Sequence, residues 1–475
     1  MKTLLTKMST VVVGISLIAT LLAGCGGSQN NTSSTGDTSK QTTVPTKQST
    51  VPAEKVKIRL WARGSGPDEG INAILDKFNK SQNEGEVSYE YYGENFANVV
   101  QMAIAAGTPP EVLGAATGLT VVGLAKNGSI IPVDDLWTDD LKAKMQPDTV
   151  KPKDFYYQGH LYTIPTNIAA YRLLYNKDLF KKAGLDPEKP PKTLEEMRDM
   201  AKKITAAGKG DYYGFGLPLG VGQIWERVID PINLAMGVGD RYGYNSKTGK
   251  YDFASNKKLF NFYVNLMRDG SLFPGYLTLG IDPLRANFSQ GKIGMCIDGN
   301  WMIGNYYVQL KTTQDWAAAP LPVFEGATAG KFWAEAGGAW VIAKTDKEKE
   351  AIAKKFLSMF VTSQDLVNTK MPQPRTYLPA NDPENLPVKE LNLKMDNLKW
   401  MFDTSDLSIP SFEPHKFLTL EGDDRNKVLT NLFAKAANGD ISKELDSALD
   451  DLNKRYTAAL DKAIKDGTID PNDMK

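Results

Sequence analysis

VKIRLWARGSGPDEGINAILDKFNKSQNEGEVSYEYYGENFANVVQMAIAAGTPPEVL occupies residues 56–113. Val56-Lys57-Ile58-Arg59-Leu60-Trp61 has the period of two that a strand requires. Gly64, Gly66 and Pro67 then mark a turn. Ile71, Ile74, Leu75 and Phe78 fall on one stripe of a helix. Val87, Tyr89 and Tyr91 return to period two, Phe96, Val99, Val100 and Ala103 stripe a second helix, and Val112-Leu113 reads as a short strand. Strand and helix in alternation predict an α/β fold, a mainly parallel sheet with helices on both faces.

The same grammar recurs downstream. Thr193-Leu194-Glu195-Glu196 is a capping box, with Leu194, Met197, Ala201 and Ile204 on the buried face and Gly208 as the stop. Ile293, Met295 and Ile297 form a strand that ends at Asp298. Residues 339–343 form another, followed by a second box, Thr345-Asp346-Lys347-Glu348. Residues 427–465 read as wholly helical, and no exact internal repeat is visible.

Upstream, Lys2 and Lys7 give a positive start with no acid, and residues 11–23 form an apolar run. That run falls short of the roughly 20 apolar residues a bilayer span needs and fits a secretory signal. It ends Leu22-Ala23-Gly24-Cys25-Gly26, which resembles the bacterial lipoprotein signal, where a diacylglycerol thioether forms on the Cys. The expected layout is a signal peptide over 1–24 and a lipid-anchored tether over 25–54. Residues 28–54 are mostly Ser, Thr, Gln, Asn, Gly and Lys without an aromatic, too little apolar surface to offset ordering entropy.

The chain has 475 residues, enough for more than one domain. It carries 56 basic and 56 acidic residues. A cleaved signal would remove only Lys2 and Lys7, and the near-neutral balance argues against nucleic acid or an anionic membrane surface as a partner. Of two cysteines, Cys25 is claimed by the lipid, so Cys296, between Met295 and Ile297, is expected to be a small buried apolar residue. The two histidines, His160 and His415, make no zinc motif, no twelve-residue Ca²⁺ loop is found, and no cofactor is expected. Gly64-Ser65-Gly66 is followed next by Gly70, so no dinucleotide motif is present.

Several segments in order resemble the family 1 extracellular solute-binding proteins, the group that includes maltose-binding proteins. They are QGHLYTIP (158–165), LYNKDLFKKAGL (174–185), PKT (191–193), GKIGMCIDGNW (291–301), APLP (319–322), GGAWVI (337–342) and AKKFL (353–357). The resemblance implies two α/β lobes that close over a ligand. The chain would cross between lobes near Pro165-Asn167, Ala319-Pro322 and Met371-Pro374. The N-terminal lobe would then hold 55–166 and 320–372, and the C-terminal lobe 167–319 and 373–475. It further implies a monomeric component of an ABC-type importer. Such a component binds without chemistry at the outer face of the bacterial membrane and hands its carbohydrate ligand to the transmembrane permease subunits. Two departures stand out: Asn300 replaces the usual Pro in Asp298-Gly299-Asn300-Trp301, and Glu111-Val112-Leu113 replaces Asp-Val-Phe.

Sugars present hydroxyl rims and flat C–H faces, which call for planar polar side chains and aromatic rings. Open α/β sheets bind at the carboxyl ends of their strands. The stacking candidates are Trp301 after the 293–298 strand, Trp225 after the glycine-rich 214–220 stretch, and Trp333 and Trp340. The last two flank Gly337-Gly338, where Gly338 would admit backbone contact with ligand. Trp61 reads equally as core. The polar candidates are Arg63 and Ser65 after strand one, Asn95 after strand two, Asn167 at the first crossing, Asp298, Glu335 and Arg375. This aromatic, mixed-charge set favours a neutral sugar over a polyamine, anion or peptide. A glycosidase would need two facing carboxylates, for which Asp298 and Glu335 are the available pair.

Overall fold

The computed structural model describes residues 54–474 except 65–67, 94, 116–118, 223, 366–371, 383, 385, 387 and 390. The signal, Cys25, all but the last residue of the tether, Ser65 and Met371 therefore lie outside the described residues.

The opening stretch folds as its pattern predicts: β1 (Val56–Arg63), α1 (Glu69–Ser81), β2 (Gly85–Tyr92), α2 (Phe96–Ala105) and β3 (Val112–Gly114), followed by α3 (Val121–Lys126) and β4 (Ile130–Ile131). Then come β5 (Asn167–Asn176), α4 (Leu194–Gly208), β6 (Tyr213–Gly216), α5 (Ile224–Val228), α6 (Asp230–Met236), α7 (Lys257–Arg268), α8 (Ile281–Ser289) and β7 (Ile293–Gly299). The chain finishes with β8 (Trp316–Ala319), β9 (Phe332–Gly337), β10 (Trp340–Ala343), α9 (Lys347–Thr362), β11 (Leu407–Ser408), α10 (Arg425–Ala436) and α11 (Ser442–Lys465). No described helix is long and apolar enough to cross a membrane.

Two large sheets result, one per lobe, besides two short two-stranded ribbons. The first has the order β2-β1-β3-β10-β4. β1 pairs in parallel with β2, Leu60 opposite Tyr89, and with β3, Leu60 opposite Val112, while β10 runs antiparallel to β3 and β4. The second has the order β11-β9-β5-β7-β6, with β8 also on β5. Its pairs β7–β6 and β9–β11 are parallel, but the long central β5 runs antiparallel to β7, β8 and β9. β5 is apolar and buried over most of its length, as a strand covered on both faces must be. Its one buried charge, Arg172, is paired with Asp406 at 2.7 and 3.1 Å and donates to the carbonyls of Trp400 and Asp403.

The register moves one crossing. Ala319 lies in β8 and the chain stays in the second sheet beyond it, because Ala334–Gly337 still pair with Ala170–Asn167. The passage to the first sheet is the turn between Gly337 and Trp340, not Ala319-Pro322, so residues 320–336 do not join the first sheet. The three connecting segments lie side by side. Thr166 N–H donates to Gly337 C=O (2.9 Å), Ile168 N–H to Pro374 C=O (3.1 Å), and Thr376 N–H to Thr166 C=O (3.2 Å). Gly338 sits at φ 65°, and a Cβ there would lie 2.4 Å from Thr166 Oγ1, so the crossing demands glycine.

Two local expectations also shift. The Thr193 box forms as expected, but α9 is capped by Asp346, which accepts from Lys349 N–H, while Glu350 accepts from Thr345 N–H. The expected box does not form, and the cap falls one residue later, at Asp346. The C-terminal tail is two helices, broken at 437–441 where Asn438-Gly439-Asp440 interrupts the apolar stripe. Cys296 is buried with Leu174, Ile303 and Trp316.

Candidate ligand-binding cleft

The turn after β7 is built from the inside out. Asp298 is fully buried and accepts from Arg285 Nε (2.8 Å) and Nη2 (2.9 Å), Tyr306 Oη (2.8 Å) and Gly299 N–H (2.8 Å). Asn300, where the resemblance led to a proline, is no weak point: its Oδ1 accepts from Ala170 N–H at 3.0 Å and ties the turn to β5. At Gly299 a Cβ would lie 2.4 Å from the Trp301 indole, so glycine lets the ring fold back over the strand end. Trp301 is left half-buried, edge-on to Tyr171 at 5.6 Å and 65°.

Tyr171 is the centre of the cluster. Its other neighbour, Trp333, stacks on it at 5.9 Å and 18°, and the Arg227 guanidinium lies 5.6 Å from its ring. Burial pushes the Tyr171 hydroxyl up to about 12, so the phenol stays neutral. Behind it, Trp333 Nε1 donates to Glu413 (3.1 Å), and Arg241 stands 4.3 Å over the Trp333 ring while bonding Glu226 (2.7 Å) and Glu413 (3.4 Å). Burial alone would raise the Glu413 carboxyl, but Arg241 and Lys416 hold it well below the usual range. Lys416 bonds Glu413 (2.8 Å) and reaches Glu335 (3.6 Å) and Asp154 (3.3 Å). The niche between Asp154, Glu335, Ser411 and Lys416 holds only about 20 Å³, too little for a saccharide.

The sequence candidates separate on this geometry. Trp301 and the half-exposed Glu335 are brought together around Tyr171. Asn167 and Arg375 meet at the hinge, backbone opposite backbone. Asn167 Nδ2 donates to Gln373 Oε1 at 3.3 Å, and Asn167 Oδ1 has no donor. Arg375 is 2% exposed. Burial lowers its pKa to about 9, with only Asp68 opposing. On the first sheet Arg63 and Asn95 are exposed at the end of β1 and just before α2. Trp340 is half-buried against Gly114 and packs on Phe360 at 4.9 Å. Trp61, packed on Tyr92 at 4.9 Å, is buried.

Three candidates are buried and engaged inside the protein. Trp225 is fully buried, with Phe260, Tyr263 and Phe433 around its ring and Thr430 accepting from its Nε1 at 3.0 Å, because α5 turns it toward α7 and α10. Trp333 is covered by Tyr171 and Arg241 and supports the cluster from behind. Asp298 is taken up by Arg285, which also removes the Asp298–Glu335 pair a glycosidase would need. Gly338 serves the hinge. Tyr171, Arg227 and Arg241 were not among the candidates. Tyr171 was reachable, since strand alternation places it on one face with Asn167 and Ala169; the two arginines carry no sequence signal.

Residues 64–366 match the model for the bacterial extracellular solute-binding proteins. The chain belongs to that family. An uncharacterized ABC transporter extracellular-binding protein of Pyrococcus horikoshii is 27% identical over 326 residues, 66% of this chain and 69% of the relative. The sn-glycerol-3-phosphate-binding periplasmic protein UgpB of Brucella melitensis is 28% identical over 346 residues, 69% and 75% of the two chains. Among solved structures, the cyclic alpha-maltosyl-1,6-maltose binding protein of Arthrobacter globiformis aligns with TM-score 0.64 and 18% identity over 86% of this chain and 99% of its own. An ABC transporter solute-binding protein of Thermotoga lettingae bound with alpha-D-tagatose aligns with TM-score 0.62 and 22% identity over 84% and 99%. The fold is the two-lobed one of this family of ABC-transporter solute-binding proteins.

Proposed function

We propose that this protein captures a sugar or short oligosaccharide outside the cell and delivers it to an ABC-type permease, held at the membrane by lipid on Cys25 and acting as a monomer. The observation that carries the ligand class is the Trp301–Tyr171 pair: a half-buried indole on a pinned turn beside a neutral phenol, with Glu335 near the phenol and Asn167 at the hinge. Rings of this kind take the C–H face of a sugar and the polar groups take its rim. Solved relatives named for maltosyl and tagatose ligands support the same class. A polyamine would call for unpaired carboxylates, whereas Glu226, Asp298 and Glu413 are each already bonded to an arginine. The alternative within this fold is a small anionic polyol, as the relatives named for sn-glycerol-3-phosphate suggest.

Thermal shift of the full chain against a glycan panel tests the reading. Ligand at about 100 times Kd adds about 2.7 kcal/mol, so a binder raises Tm by several degrees. A panel of saccharides that leaves Tm unmoved, while a peptide or polyamine raises it, would reject the sugar reading.

The layout proposed for the N-terminus is a signal over 1–24 and a lipid-anchored tether over 25–54. Two acyl chains on one residue anchor stably where one is marginal. Cys25→Ala is expected to release the protein into the medium or leave it unprocessed. A variant still processed and membrane-held in fractionation would remove the anchor from the proposal.

A further inference from the structure

Buried arginines in this protein come with carboxylates. Arg172 has Asp406, Arg241 has Glu226, Arg285 has Asp298 and Arg425 has Asp230. Arg375 is as buried as these and breaks the rule. Its Nε and Nη2 have no acceptor among the described residues. Its backbone is fixed on both sides, because Asn381 Oδ1 accepts from its N–H (2.7 Å) and Asn381 Nδ2 donates to its C=O (2.8 Å). Nε–H and Nη2–H project in parallel from one edge of the guanidinium, the spacing that matches two oxygens of a carboxylate or phosphate. Arg227, in the cluster around Tyr171, also has a buried Nη1 without an acceptor. Buried charge is normally paired, and here the missing partner is not supplied by the described chain.

We propose that the ligand carries an oxyanion, a sugar carboxylate or a sugar phosphate ester, that the side-on edge of Arg375 grips at the hinge. The inference rests on the saccharide reading above and narrows it to an acidic saccharide. Asn167, opposite Arg375 in the hinge, has an Oδ1 free to accept from a neighbouring ring hydroxyl. The Arg375 edge is shut off from solvent in this conformation, so the anion enters while the lobes are apart and is enclosed as they close.

The test is titration of the full chain with acidic sugars against their neutral counterparts: digalacturonate against galactobiose, and glucuronate and glucose 6-phosphate against glucose. The expected result is at least one acidic sugar binding tenfold or more tighter than its neutral counterpart. Arg375→Met should then reduce that binding at least tenfold, and Arg375→Lys, which keeps the charge but loses the two-pronged edge, should retain part of it. Preference for the uronate or for the phosphate identifies the anion. A panel in which no acidic sugar outbinds its neutral counterpart, or a folded Arg375→Met that binds the acidic sugar unchanged, overturns the inference. Tight binding of a neutral sugar in that panel would leave the saccharide reading standing. Should Arg375→Met not fold by circular dichroism, the wild-type panel and Arg375→Lys decide.

Discussion

Two tryptophans show how context sets what a residue does. Trp301 stands half-buried on a turn that Asp298 and Asn300 pin; Trp225 is enclosed by three rings. Trp301→Ala should leave the fold nearly intact and weaken ligand binding by about 2 kcal/mol or more, as truncated anchor aromatics do. Trp225→Ala should instead cost about 3–5 kcal/mol of stability, with binding little changed in the fraction that folds. Calorimetry of the ligand-free variants plus titration separates the two, and a destabilised Trp301→Ala that binds normally would move Trp301 into the core. His415 gives a pH prediction. Its Nδ1 is buried without a partner and its ring stacks on Tyr242 at 4.2 Å. Burial lowers its pKa from the ordinary 6.5 to about 3; Glu413 opposes this, while Arg241, Lys416 and Arg425 add to it. The unfolded chain therefore takes up a proton below about 6.5 that the folded chain refuses until about 3. Stability contributed by neutral His415 is complete above 6.5 and is lost as pH falls toward 3, on the order of 1–3 kcal/mol given its partial exposure. His415→Gln should flatten the melting temperature over that range; an unchanged slope would show that the imidazole is not the titrating group. Residues of this kind mark the limit of the sequence. An aromatic after a strand can be picked out, but whether its ring meets ligand or helix depends on packing partners far along the chain, such as Thr430 and Phe433 for Trp225.

Elements were far more legible, because their periodicity is local. Strands and helices of the first sheet follow the alternation in residues 56–113, and the Thr193 box closes as written. Thr193→Ala removes the acceptor for Glu196 N–H (3.1 Å) and should cost about 1 kcal/mol in chemical denaturation, with no change in ligand affinity; a stability equal to wild type would mean the helix start is held by tertiary packing instead. The second crossing was not legible in the same way. The family resemblance placed it at Ala319-Pro322, but the passage is set by which strand β9 pairs with, and strand pairing is a long-range property. What the sequence does offer is Gly337-Gly338, and the closeness of Thr166 explains why. Gly338→Ala meets both the positive φ and Thr166 Oγ1. It should destabilise the protein by about 1–3 kcal/mol and alter ligand affinity through the hinge, measured by thermal melting and titration together.

At the scale of the molecule, the arrangement predicts a hinge whose closed state has contacts of its own. Residues 152–155 sit beside the first sheet's side of the molecule: Tyr157 and Tyr162 nearby pack against the cluster of Trp61, Phe96 and Leu113, and Val133 N–H donates to Leu161 C=O (2.7 Å). Across from them, residues 409–417 belong with the second sheet, following β11. Lys153 N–H donates to Ser411 C=O at 2.8 Å, and Lys416 joins Asp154 to Glu335 and Glu413. Opening the lobes must stretch these bonds, whereas the three hinge segments only need to absorb dihedral change. Lys416 and Asp154 are each about a third exposed, so their pairing is worth about 0–1 kcal/mol, enough to shift an open–closed ratio by up to about fivefold. Small-angle scattering should therefore show three things: a smaller radius of gyration for the wild type at saturating ligand, a larger ligand-free radius for Lys416→Met than for the wild type, and the same ligand-bound radius for both. If Lys416→Met and the wild type scatter alike without ligand, the Asp154–Lys416 contact does not hold the lobes together. If ligand leaves the wild-type profile unchanged, closure itself is not how this protein retains what it binds.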